Sequence, residues 1–399
     1  MTADVVIVGG GIIGLATAWR LLKSQPCRLV LLEAAAALAT HQTGSNSGVV
    51  HAGLYYRPGS LKAQLCTEGR DELYRFCEVH DVPVERCGKL VLATQPNEIP
   101  RLERLYEMGL ANGLRGLRRL SAEAITEVEP YARGVAGLHV AETGIVDYVR
   151  VCVALAAAIE ARGGEIRRSV RALGGVATGN GLVMQTTGGD IACRLVVGCA
   201  GLQADRLARA CGLDPQVTIM PFRGEYYELV PERRDLIRHL IYPVPDPVLP
   251  FLGVHFTRRT DGSREAGPNA VLALAREGYG WSTVSIADLR ELAAFPGSWR
   301  LWRRYWRAGI SETARSLSKR RFVAALQRFV PEVRAADLVP AAAGVRAQAV
   351  SRDGRLVDDF LIVEGPRMVH VLNAPSPAAT AALAIGRRVA AIAAGRLSA

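Results

Sequence analysis

Residues 4–33, DVVIVGGGIIGLATAWRLLKSQPCRLVLLE, decide the fold of this chain. Asp4 to Val8 reads as a buried parallel strand. Gly9-Gly10-Gly11-Ile12-Ile13-Gly14 follows at once, and Leu15, Ala18, Leu21 and Leu22 continue with helical spacing. A second strand, Arg28 to Leu32, ends at the acid Glu33. In this frame Gly9 permits a tight turn, Gly11 lets backbone approach a pyrophosphate, and Gly14 lets the helix pack on the strand. The amides of Ile12 and Ile13 open the helix, whose N-terminus carries free N–H groups and partial positive charge toward phosphate. Glu33, about 20 residues on, is placed to accept hydrogen bonds from an adenosine ribose and argues against a 2′-phosphate such as that of NADP. A glycine motif alone is weak evidence, but strand, glycines, helix, second strand and acid fall in register here. The unit implies FAD or NAD.

The stretch that follows, HQTGSNSGVVHAGLYY at 41–56, is dense in small and hydroxyl residues. Thr43, Ser45, Asn46, Ser47 and Gly48 let backbone approach a flat ligand closely, as the reactive ring of a flavin requires. A single imidazole, His51, stands just beyond them. Together the two segments narrow the oxidoreductase classes that nucleotide binding alone leaves open.

With 399 residues the chain has room for two domains and a sizeable core. No window of about 18 uninterrupted apolar residues appears, so a spanning helix is not expected. A strand beginning by Asp4 predicts no cleavable presequence. The eight cysteines (27, 66, 77, 87, 152, 193, 199 and 211) form no CxxC pair and sit mostly in apolar runs. They predict reduced core thiols in a cytosolic setting and no disulfide framework or metal site. The net charge of +11 is concentrated between Ser298 and Arg328, where nine basic residues face one acid, Glu312.

The pattern predicts helices over 69–80 and 98–112 and a strand at Gly88–Thr94. An alanine-rich helix at 151–162 leads to a strand at Glu165–Val170, with Val170 starting the turn under the adenine. Leu195 to Gly201, LVVGCAG, reads as a buried strand returning to the first sheet, with Ala200 and Gly201 close to the cofactor. Alternation at Thr218–Val230 and Val248–Thr257 predicts antiparallel strands. A hairpin within Gly354–Asn373 leads into Pro375-Ser376-Pro377-Ala378 and a helix over 379–394, whose N-terminus would face the flavin. The expected fold is α/β. A discontinuous Rossmann-like domain (1–80, 145–220 and 340–399) would carry the nucleotide. An inserted substrate domain of mixed or antiparallel sheet (81–144 and 221–339) would meet it at the active site.

Residues 41–64, HQTGSNSGVVHAGLYYRPGSLKAQ, resemble the L-2-hydroxyglutarate dehydrogenase/oxidase family within the D-amino-acid-oxidase-like flavoproteins. The likeness recurs at PFRGEY (221–226), IYPVPDPVLPFLGVH (241–255), GPNAVL (267–272), GVRAQAV (344–350) and NAPSPAAT (373–380). These blocks run in order along nearly the whole chain, with 280–335 less typical. The resemblance implies FAD as cofactor and oxidation of L-2-hydroxyglutarate to 2-oxoglutarate. It also implies electron delivery to a quinone or to oxygen, often at a membrane surface.

Oxidising a 2-hydroxy acid removes a hydride from Cα and a proton from the hydroxyl, so a base and cations for carboxylate are needed beside the cofactor. Histidine suits the base role near neutral pH. His51 is the first choice; the alternatives are a structural histidine at the flavin rim or a covalent histidyl link. His255, at the end of an apolar strand with Gly253 and Phe251 on its face, is the second choice, against a core or rim role. A diacid calls for arginines. Arg346, between small residues, would reach toward the flavin. Arg223 shares a strand face with Glu225 and Tyr227 and would either bind substrate or join an internal ion pair. Lys89 interrupts an apolar strand and would face the cleft or solvent, and Tyr55 and Arg57 are further candidates.

Trp299, Trp302, Tyr305, Trp306 and Ile310 fall near helical spacing with Arg300, Arg303, Arg304 and Arg307 between them. Such a helix suits anionic lipid headgroups; the alternative is a packed helix with a solvated arginine face. The expectation is a cytoplasmic protein held peripherally at the inner face of the cell membrane. No nucleic-acid module accompanies the charge. An amino-acid or amine oxidase of the same architecture and a non-catalytic flavoprotein remain as competing readings.

Overall fold

The computed structural model describes residues 2–179, 181–246 and 253–398. Its first sheet grows from the N-terminal unit. Strand Thr2–Val8 lies parallel to Leu29–Leu32 on one side and to Ile191–Gly198 on the other. Glu165–Arg167 extends the sheet beyond Leu29–Leu32, and Met368–Asn373 joins Ile191–Gly198, both parallel. The hairpin Leu361–Gly365 and the ribbon Ala172–Thr178 with Gly181–Thr186 complete it, all antiparallel. Its central strands are apolar on both faces, as a sheet covered from both sides requires.

Helix Ile12–Ser24 packs on this sheet through Leu15, Ala16, Ala18 and Leu21. Helix Ala382–Ser398 crosses it so closely that a side chain at Gly386 would strike the backbone of Ala16. The C-terminal helix starts three residues later than the pattern predicts. A turn holds residues 376–381, with the Ala378 amide bonded to the Pro375 carbonyl, so the turn rather than the helix N-terminus meets the cofactor cleft. The helix expected over 69–80 runs from Leu61 to Val79, because the Ser60 hydroxyl accepts from the Ala63 amide and caps it earlier.

The second layer is a mixed, mostly antiparallel eight-stranded sheet. Lys89–Ala93 pairs parallel with Leu240–Pro243 and antiparallel with Ala136–Val140. The single strand predicted at Thr218–Val230 is two. Val217–Gly224 belongs to a three-stranded sheet with Val271–Leu272 and Gly344–Ser351, and Tyr227–Leu229 to the eight-stranded sheet. The break follows from crowding. A Cβ at Gly224 would press on Pro268, and the Glu225 amide leaves the ladder to bond Asn269 Oδ1 at 2.8 Å. The strand expected over 248–257 is seen as His255–Arg258; Phe251 and the rest of 247–252 lie outside the described residues.

Asp205 and Arg276, both buried, form a forked ion pair that ties the segment after Gly201 to the loop ahead of helix Ile286–Ala294. The basic segment forms helix Pro296–Ser316, which buries only Gly297 and Leu301. Trp299 and Trp302 are 61% and 65% exposed, and Trp306, Ile310 and the nearby Ile286 and Val284 are exposed too. No helix among the described residues is long and apolar enough to cross a membrane. All eight cysteines are free thiols.

His370 is buried in strand Met368–Asn373 against Gly198, and neither ring nitrogen has a partner among the described residues. Burial pushes it down to about 4, so it folds neutral. The unfolded chain takes up a proton below its ordinary value near 6.5, whereas the folded one does not until about 4. The stability this neutral ring brings is therefore full above that range and is lost as pH falls through it. Replacing His370 by Leu should spare the protein on the order of 2 kcal/mol of the stability lost between about pH 7.5 and 5. Urea unfolding at both pH values measures it, and an unchanged loss would contradict the assignment.

Candidate active site

At the carboxyl ends of Thr2–Val8 and Leu29–Leu32 lies a cleft of about 720 Å³. It is lined by Gly9, Gly11, Ile12, Ile13 and Glu33, then Val170, Ala200 and Gly201, then Thr43, Ser45, Asn46 and Ser47, and finally Pro375 to Ala378 and Arg346. A crevice at the strand carboxyl ends is where open α/β sheets bind ligands. The residues present fit a flavin dinucleotide. Gly9 has φ +117°, and a side chain there would collide with the Cys199 carbonyl. A side chain at Gly14 would collide with the Gly9 carbonyl, so Gly14 acts through helix packing and does not line the cleft. The Gly11 cap carries no side chain to occupy the helix N-terminus, although the Ile12 amide reaches Thr43 Oγ1 at 3.2 Å. Glu33 accepts from the Gly10 and Ala35 amides, each at 2.8 Å. These bonds fix the carboxylate at the strand end, and each oxygen keeps acceptor capacity for a ribose hydroxyl.

Asn46 shapes the cradle from within. Its Nδ2 donates to the Thr43 carbonyl at 2.6 Å and its Oδ1 accepts from the Gly48 amide at 2.8 Å. Gly48, at φ +69°, serves that turn and lies behind the lining. Strand Gly344–Ser351 lies against the same loop so tightly that a Cβ at Gly344 would enter the Ser45 carbonyl. Gly344→Val is therefore expected to give folded protein that no longer retains flavin, read as lost visible absorbance with unchanged far-UV circular dichroism. Retention at wild-type stoichiometry would contradict the close approach.

A second cavity of about 690 Å³ opens from the first, and the two share Ser47, His51, Tyr226, Pro268, Arg346 and Ser376. His51 stands at this junction. Its amide donates to Thr380 Oγ1 at 3.0 Å, and Nε2 lies 3.4 Å from Ser376 Oγ, while the buried Nδ1 has no partner among the described residues. Burial, then the positive charges of Lys89 and its other neighbours, pushes its pKa to about 3, so the ring is neutral near neutral pH. His255 lines the second cavity, 3.9 Å between ring centroids from Tyr242. Its Nδ1 lies 2.9 Å from the Gly253 carbonyl. A carbonyl can only accept, so Nδ1 carries the hydrogen and Nε2 keeps a free lone pair. Burial holds this ring near 4.

Arg346, opposite Phe222 in the ladder, lines both cavities, and burial lowers its pKa. Tyr55 lines the second cavity, and its buried hydroxyl has no partner among the described residues. Lys89 lies beneath the rings of Tyr55 and Tyr242, its ammonium 4.4 and 4.9 Å from their centroids. Arg57 is exposed at the cavity mouth. Arg223 lines neither cavity. Its strand neighbours Phe222 and Gly224 face the cleft, so alternation turns the guanidinium to the other face, 3.4 Å from Glu225 and 4.1 Å from the Trp281 ring. That geometry is the internal ion pair and not a carboxylate receptor.

Tyr226, which lines both cavities, has no place among the residues singled out from sequence, although it ends the PFRGEY block. Nor does the pair His41–Glu277, 3.5 Å apart at the cleft edge, where the histidine bond holds Glu277 down to about 2. Its partners are far apart in sequence, and no local signal joins them.

A family model described as FAD-dependent oxidoreductase matches residues 4–392. L-2-hydroxyglutarate dehydrogenase of Indibacter alkaliphilus is 46% identical, over 98% of this chain and 98% of its own length. The Escherichia coli K12 protein of that name is 46% identical over 97% and 92%, and the human mitochondrial one 43% over 97% and 88%. Among solved structures, FAD-bound L-α-glycerophosphate oxidase of Mycoplasma pneumoniae superposes with a TM-score of 0.82 at 24% identity, covering 99% of this chain and 95% of its own. Glycine oxidase of Geobacillus kaustophilus does so at 0.73 and 19%, covering 99% and 95%, and both likenesses speak for the fold. The chain is an FAD-dependent oxidoreductase and belongs to the L-2-hydroxyglutarate dehydrogenase family.

Proposed function

We propose that this protein oxidises L-2-hydroxyglutarate to 2-oxoglutarate at the junction of its two cavities. The observation that carries the proposal is that His51 and Arg346 line both the cofactor cleft and the second cavity. The substrate named for the relatives matches that chemistry. Bound FAD supplies the acceptor for the hydride that leaves Cα. Arg346 holds the carboxylate beside the reacting carbon, by charge-assisted hydrogen bonds. His51 takes the hydroxyl proton as the C=O bond forms.

An imidazole held near 3 is a poor base before substrate binds. Part of that depression comes from the positive charges of Lys89, Arg346 and Lys62. A dianionic substrate offsets those charges and so raises the basicity of His51 when the hydroxyl arrives. The burial of His51 strengthens this coupling.

Anaerobic titration tests the reading. L-2-hydroxyglutarate should bleach the flavin, and glycine, sarcosine and D-alanine should not; reduction by an amine alone would replace the proposal with an amine oxidase. His51→Gln should keep FAD and slow flavin reduction by roughly 10²–10⁴-fold. Wild-type reduction kinetics in that variant would remove His51 from proton transfer.

The destination of the electrons is a separate matter, and we propose a membrane quinone, with the enzyme docked peripherally. The support is helix Pro296–Ser316, whose exposed Trp299, Trp302 and Trp306 alternate with exposed arginines. The holoprotein should sediment with anionic vesicles at low salt, and Trp299→Ser with Trp302→Ser should weaken this at least tenfold. Failure of the wild type to sediment would contradict docking.

A further inference from the structure

Strands Leu29–Leu32 and Ile191–Gly198 flank Thr2–Val8 on opposite sides, so the glycine turn after Thr2–Val8 lies between the segments that leave them. Those two segments approach each other across the cofactor cleft, where a Cβ at Gly201 would press on the Gln42 side chain. Beside this contact Glu277 bridges them. Its Oε1 accepts from Gln203 Nε2 at 3.0 Å, and its Oε2 lies 3.5 Å from His41 Nε2. His41, Gln203 and Glu277 all line the cleft.

The two ends of the bridge are held differently. Arg276, next to Glu277, is buried; its guanidinium forks onto Asp205 and donates to the Leu202 carbonyl at 2.8 Å, and its amide donates to Asp288 Oδ2 at 2.7 Å. Gln203 Oε1 accepts in turn from Arg206 Nη1 at 3.2 Å. Glu277 is therefore fixed to the segment after Ile191–Gly198 by a connected network. Among the described residues the His41 ring has Glu277 as its one polar partner. The His41 carbonyl accepts from the Gly44 and Ser45 amides, each at 3.1 Å, so the ring is carried by the turn that opens the flavin-cradling loop. The two side chains are 38% and 40% exposed, and an ion pair so open to water adds little to the fold itself. Its effect falls on what lies between the segments it joins. We infer that His41 and Glu277 form a latch across the cofactor cleft, which parts when FAD leaves. The inference goes beyond the proposed function, since it concerns the cofactor and is the same whichever substrate is oxidised.

The bond to Glu277 raises the His41 imidazole above its ordinary 6.5, against the opposing pull of burial, and His41 holds Glu277 down to about 2. Cation and carboxylate therefore face each other at mildly acid pH, and the imidazolium is lost as pH rises through its raised value. The other charges that face His41 are Glu33, which favours the imidazolium, and Arg171, which opposes it. Tyr279 on the Glu277 loop and the Cys199 thiol of the cleft are each pushed up by burial to about 12. His41 is thus the member of the latch that changes charge between about pH 6 and 9.

Flavin release from the holoenzyme tests the latch without any substrate. Diluted holoenzyme is passed through a centrifugal filter at intervals, and the flavin in the filtrate is read by its visible absorbance. Wild type should release FAD about fivefold faster at pH 9 than at pH 6, the scale of one exposed ion pair. Glu277→Gln and His41→Gln should each release it about fivefold faster than wild type at pH 6, with no further rise toward pH 9. The double variant should be no faster than either single one, because both break the same link. His41→Lys keeps a cation to about pH 9 and should hold release slow there. Glu277→Gln release as slow as wild type, or single effects that add in the double variant, would overturn the latch. So would a wild-type rate constant from pH 6 to 9, a reading that requires no variant to fold, and so would flavin that stays on the chain after unfolding.

Discussion

The site depends on one antiparallel ladder. Residues Val217–Gly224 pair along their whole length with Gly344–Ser351, and this register sets Arg346 opposite Phe222 at the meeting of the two cavities. The ladder is anchored at several points. Asp205 accepts from the Ile219 amide at 3.1 Å, Asn373 Oδ1 from the Ala349 amide at 3.0 Å, and Gly344 meets the flavin-cradling loop at Ser45. A slip of one residue would turn Arg346 away from the cleft, because side chains alternate along a strand. Arg223 shows the consequence: one position from the lining residue Phe222, it takes no part in the cleft.

Electrostatics at the junction follow from burial. His51 and His255 are kept neutral, and Arg346, lowered by burial, lines the junction beside His51. On the proposed function, an anionic substrate is the complement of this arrangement. The proposed function couples binding to chemistry, since the positive charges that would hold substrate add to burial in suppressing the proton affinity of His51.

Much of the fold and of the cleft lining is legible in the sequence. The glycines from Gly9 to Gly14, Glu33 and the 43–48 loop carry local backbone requirements, and these survive in the sequence as small residues at fixed spacing. The place of His51 and Arg346 in the lining was legible for a related reason, as polar residues among small or apolar neighbours. Arg223 had the same signature, yet which face of its strand meets the cleft is decided by pairing with residues more than a hundred positions away. The same long-range pairing sets Leu240–Pro243 beside Lys89–Ala93, and hence Tyr242 over Lys89. The start of the C-terminal helix was misjudged because alanine favours helix wherever tertiary contacts do not hold a turn.

The central claim is that carboxylate, hydroxyl and flavin meet where the two cavities join. A crystal structure of the FAD-loaded protein with 2-oxoglutarate tests it most directly. The carboxylate beside the ketone should lie within hydrogen-bond distance of Arg346, and the ketone oxygen within reach of His51. A ligand seated elsewhere, or an isoalloxazine ring remote from both residues, would contradict the account.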